Sequence, residues 1–64
     1  MNRTALLKLL KRNGVEFHRH GSSHDIYRHK DSGKKIAIPR HNEFDNMVVQ
    51  GYLKIVSEFR KEEN

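Results

Sequence analysis

Residues 15–29 read VEFHRHGSSHDIYRH. Val15 to His18 alternates apolar and polar side chains, as a half-buried strand does. Asp25 to His29 carries Ile26 and Tyr27, both good strand formers. Between them Gly21-Ser22-Ser23 supplies the small polar residues of a turn. Two strands joined in this way form an antiparallel hairpin, and the other elements are placed by their distance from it.

Downstream, Asp31-Ser32-Gly33 marks a second turn, and Lys35 to Pro39 puts Ile36 and Ile38 on one face before Pro39 ends the strand. Upstream, TALLKLLKRNG carries Leu6, Leu7, Leu9 and Leu10 in a helical stripe. Thr4 or Asn2 can cap its start, and Asn13-Gly14 supplies a left-handed stop beside Lys8, Lys11 and Arg12. After the strands, Val49, Tyr52, Leu53, Val56 and Phe59 keep helical spacing from Asn46 to Lys61, with Asp45 or Asn46 as N-cap. Gly51 lies inside that helix, at a close contact or simply tolerated. The order α-β-β-β-α predicts an α+β fold. A three-stranded antiparallel sheet would carry both helices on one face, as in a double-stranded-RNA-binding domain.

Sixty-four residues make one domain, residues 1–64. A chain this short buries only about 60% of its unfolded surface, so its core is small. With no cysteine, disulfides and Cys-based zinc sites are excluded. LLKLL is far too short to span a membrane, and no leader is visible, so the cytosol is the expected compartment. Thirteen Lys and Arg against eight Asp and Glu give a net charge of +5. Such a field suits a polyanion, nucleic acid first, though an acidic protein partner would answer to it as well.

Three of the five histidines crowd into residues 18–24. His18 and His20, two apart on a strand, would share a face and could pinch a cation with His24 as third ligand. No cysteine and no suitably spaced carboxylate completes such a set, so no metal is expected. Alternatively His24 only caps a strand end, and His29 and His41 are solvated polar residues. A catalytic reading needs one His held rigidly near cations, because imidazole exchanges protons near neutrality. On RNA the metal-free reaction is attack of a 2′-oxygen on the adjacent phosphorus. Arg19, Arg28, Lys34, Lys35 and Arg40 are the candidate phosphate-binding cations. Alternation places His24, Ile26 and Arg28 on one face of the strand and Asp25, Tyr27 and His29 on the other. If Tyr27 packs under the helices, His24 and Arg28 lie on the open face; if Ile26 does, they turn inward.

The helix LLKLLKRNGV, the block GSSHDIY, the strand ending IAIPRH and the following HNE resemble the HicA toxins of HicAB toxin–antitoxin systems. The resemblance covers nearly the whole chain. It implies a double-stranded-RNA-binding-like fold and a metal-independent mRNA interferase, an endoribonuclease needing no cofactor. It implies that the key histidine is His24, positioned by the turn at Gly21 and Ser22, to which Ser23 also belongs in this chain. It further implies neutralisation by a HicB antitoxin in a hetero-oligomer. Two departures, the doubled Ser22-Ser23 and Met47-Val48 in place of a Gly-Thr pair, bear on the turn geometry and on the start of the last helix.

Overall fold

The computed structural model describes residues 1–61, and its order is α1 (Arg3–Arg12), β1 (Val15–His20), β2 (His24–His29), β3 (Lys35–Pro39) and α2 (Asn46–Lys61). Asn2, not Thr4, caps α1: its Oδ1 accepts the Ala5 N–H at 2.8 Å. Helix α1 stops at Asn13-Gly14, where Gly14 adopts φ +81°, a conformation glycine reaches without steric cost.

The sheet has the order β1-β2-β3, antiparallel throughout, so β2 is the middle strand. Val15, Tyr27, Ile36 and Ile38 are buried on one side of it. Leu6 and Leu10 of α1, Phe44 of the β3–α2 connection, and Val49 and Val56 of α2 join them in one core. Both helices therefore cover the same face, and the other face is open. Tyr27 packs inward, so His24 and Arg28 are exposed on the open side.

Strand β1 runs two residues further than alternation predicts. Phe17 pairs with Tyr27, yet Arg19 pairs with Ile26, so His18 is an extra residue in the ladder. A bulge of this kind reverses which residues face inward. His18 and His20 consequently do not share a face. His20 turns to the helix side opposite Asp25, and Arg19 turns to the open side opposite Ile26.

His29 is a second correction. It is not solvated but 2% exposed, with Nδ1 2.8 Å from Ser32 Oγ and accepting the Ser32 N–H at 3.2 Å. The turn that follows β2 folds back and satisfies the ring, which then packs beside Phe59. His41, by contrast, is exposed.

Helix α2 starts where expected, its first bond running from Val49 N–H to Asp45 O at 3.0 Å. Nothing lies within 4 Å of a Cβ added at Gly51, so that glycine marks no close contact. The chain start is stitched to the β3–α2 connection: Phe44 N–H donates to Met1 O at 2.8 Å and Arg3 N–H to Asn42 O at 2.8 Å. Among the described residues no helix is long and apolar enough to cross a membrane.

Two substitutions should move stability in opposite directions. Ile38, fully buried, becomes a cavity in Ile38→Ala, which should cost about 2–5 kcal/mol. That is a large share of the roughly 3–10 kcal/mol expected for a domain of this size. The urea midpoint should fall with little change in slope. Gly51→Ala, in open space, should add up to about 1 kcal/mol through helix propensity alone. Loss of stability in that variant would show a contact that the packing does not contain.

Candidate active site

The turn between β1 and β2 is closed by its own backbone. Gly21 N–H donates to His24 O at 2.8 Å. A Cβ on residue 21 would lie 2.6 Å from that same oxygen, so only glycine fits there. Ser22 and Ser23 complete the turn, and His24 opens β2 as its first residue. Ser23 Oγ lies 3.1 Å from His24 Nδ1. When Nδ1–H donates to that hydroxyl, Nε2 carries the lone pair and is the nitrogen left to take a proton.

His24, Arg19, Gly21, Ser22 and Ser23 line a shallow cleft of about 280 Å³, floored by Ile26 and Ala37. This arrangement gathers an exposed imidazole, one cation and two hydroxyls over a small apolar floor. Arg28 and Lys35 pair across β2 and β3 further along the same open face. Four residue steps along the strand, roughly 13 Å, separate Arg28 from His24. Lys34 precedes β3 in the connecting loop, beyond that pair. A roomier groove of about 500 Å³ between α1 and β1 is lined by Leu7, Val15, Phe17 and Tyr27, with Lys11 and Glu16. It holds no histidine and no hydroxyl nucleophile apart from the packed Tyr27, so it offers less chemistry than the smaller cleft.

Arg40 is placed differently from the other candidate cations. Its Nε donates to Asp25 Oδ1 at 2.9 Å and its Nη2 to Gly21 O at 2.6 Å. Asp25 is the residue that sequence reasoning missed. Its side chain faces the helices, 7% exposed, and accepts from Arg3 Nη2 at Oδ2 (2.9 Å) as well as from Arg40. His20 Nδ1 lies 2.8 Å from Oδ1 and completes the set. The hydrogen bond from His20, then that from Arg40, holds the Asp25 carboxyl below the usual carboxylate range, against the opposing effect of burial. One signal was available: a charged residue between Tyr27 and His24 on a strand whose inward face it shares must be paired. Arg3 gave none, since a basic residue opening a helix reads as surface. Among the described residues no group of three or more His, Asp or Glu side chains is placed to hold a metal ion.

A family model described as the HicA toxin of bacterial toxin-antitoxin matches residues 4–56, which include the turn, all three strands and Arg40. The chain belongs to the HicA toxin family. It is a toxin of a toxin–antitoxin system, and membership implies an antitoxin partner and a nucleic-acid target. Comparison with curated proteins and with solved structures gives no match.

The ionised Asp25 ties this HicA toxin together, and its lowered pKa fixes the sign of the acid response. The stabilisation it gives is complete above the unfolded carboxylate value of about 3.9 and is lost as pH falls through the lower folded value. The urea midpoint of the wild type should therefore drop across that acidic range. In Asp25→Asn the midpoint should start lower near neutrality and show a shallower acid limb. An identical limb in both proteins would place the acid sensitivity elsewhere.

Proposed function

We propose that this HicA toxin is a metal-independent endoribonuclease, an mRNA interferase, with His24 as its general acid/base. The observation that carries the reading is an exposed imidazole fixed at a rigid turn, with Ser23 on Nδ1 and Arg19 in the same cleft. His24 Nε2 takes the proton of a 2′-hydroxyl, the freed oxygen attacks the adjacent phosphorus, and the 5′-oxygen leaves with a proton from solvent. The products are a 2′,3′-cyclic phosphate and a 5′-hydroxyl. Arg19 answers the charge that builds on the phosphoryl oxygens. The requirement for a 2′-hydroxyl makes RNA, not DNA, the substrate.

Arg28, Lys35 and Lys34 extend a basic track along the open face and past its end, which suits the neighbouring phosphates of one strand. His20, turned to the other side of the sheet and bound to Asp25, is not in line to serve the same phosphate. A HicB-type antitoxin that covers the His24 face would block both the base and the track, and the complex would be a toxin–antitoxin hetero-oligomer.

His24→Ala is the direct test. General acid–base groups contribute about 10²–10⁴-fold, so cleavage of a single-stranded RNA should fall by that factor while the thermal midpoint holds. Wild-type cleavage should persist in EDTA. Equal cleavage by both proteins would remove His24 from the chemistry, and loss of wild-type activity in EDTA would restore a metal to it. Binding that weakens steeply with salt, without cleavage by either protein, would instead define a non-catalytic RNA-binding module.

A further inference from the structure

Arg40 follows Pro39, the residue that pairs with His24 across β2 and β3. From there its guanidinium reaches both flanks of the turn. Nη2 holds the Gly21 carbonyl, just before Ser22-Ser23, and Nε holds Asp25, just after His24. Asp25 is itself anchored from below, because Arg3 of α1 grips its other oxygen at 2.9 Å. The segment from Gly21 to Asp25 is thus fastened at both ends by one planar group that rests on a fixed partner.

The geometry points to Arg40 as a positioning residue for His24, and not as a phosphate ligand of the basic track. The guanidinium carries its donors in a rigid fork, so it can bridge two acceptors at a set spacing. A lysine ammonium at this position has three donors but no fixed fork, so it would hold the two acceptors at a less defined spacing. The bridge also explains why an exposed turn of glycine and serines can present an imidazole in a fixed pose. Gly21 N–H is held by His24 O, and Gly21 O is held by Arg40, so both polar groups of that peptide neighbourhood are engaged. By contrast Arg19 lines the cleft itself, beside His24.

The inference rests on the proposed nuclease reading for its kinetic arm alone; amide exchange tests it independently. In the full chain, Arg40→Ala should lower kcat on a single-stranded RNA by about 10- to 100-fold, the cost of a misplaced catalytic group, with KM within about twofold. Arg40→Lys should fall between this variant and the wild type. In Arg40→Ala the Gly21 amide should exchange about tenfold faster or more, while the Leu10 amide, deep in α1, keeps its protection.

Raised KM with kcat retained, a salt slope reduced by about one, and unchanged Gly21 exchange would make Arg40 a phosphate contact and overturn the inference. Equal acceleration at Gly21 and Leu10 would make it a general structural tie and also overturn it. If the wild type does not cleave RNA, the nuclease reading fails, and the exchange comparison alone decides the role of Arg40.

Discussion

The carboxylate of Asp25 sits on the helix-facing side of the middle strand, where an unpaired charge would be costly. Its stability there depends on donors from three other parts of the chain: Arg3 of α1, His20 at the end of β1, and Arg40 just past β3. Each donor fixes the element that carries it. Arg3 also donates to the carbonyl of Pro39, so the helix start and the end of the last strand are joined directly. Among the described residues a core of nine buried apolar side chains supplies the general driving force, but apolar contacts are not directional. The charged cluster is what sets the end of the sheet in one arrangement.

From that buried charge the exposed histidine follows by parity. Side chains alternate along a strand, so an inward Asp25 forces its neighbour His24 outward, onto the face the helices leave open. Ile26 follows on the same face and gives the cleft its apolar floor. The bulge at His18 does the corresponding work in β1. Without it Arg19 would face the helices and His20 the open side. With it, the arginine joins His24 and the second histidine is delivered to Asp25. The site on one side of the sheet and the clamp on the other are two consequences of the same register.

This division also explains what was legible in the sequence. The two helices, the third strand and the hairpin are written in local spacing, and β3 and α2 have the bounds that spacing predicts. The bulge is not written there, because HRHGSSH is polar throughout and an extra residue leaves no break in an apolar pattern. His29 was misread for a similar reason: its partner Ser32 lies in a turn whose fold-back a strand pattern does not reveal. The clamp was hidden by distance, since Asp25 meets Arg40 across 15 residues and Arg3 across 22. The turn and His24 could be picked out from the residues, but the catalytic weight placed on His24 came from resemblance to the HicA toxins. Physical reasoning from the sequence alone reached only a turn histidine beside cations, on the open face if Tyr27 packs inward.

A site of this kind has to be rigid on a fold with little stability to spare. Enclosing His24 in a deep pocket would need a layer of chain above the open face, and both described helices pack on the opposite one. The rigidity therefore comes from underneath and from the side, through Asp25 and Arg40, and the upper face stays bare. A bare face is open to a long polyanion, which a closed pocket would exclude. It is equally open to a protein that binds only the folded chain. At a free concentration of 1,000 times its Kd, such a partner adds about 4 kcal/mol of stability. Against the roughly 3–10 kcal/mol available to a domain this small, that gain is comparable to the stability of the fold itself. The feature that would admit RNA to His24 is thus also the one through which an antitoxin would gain most by covering it.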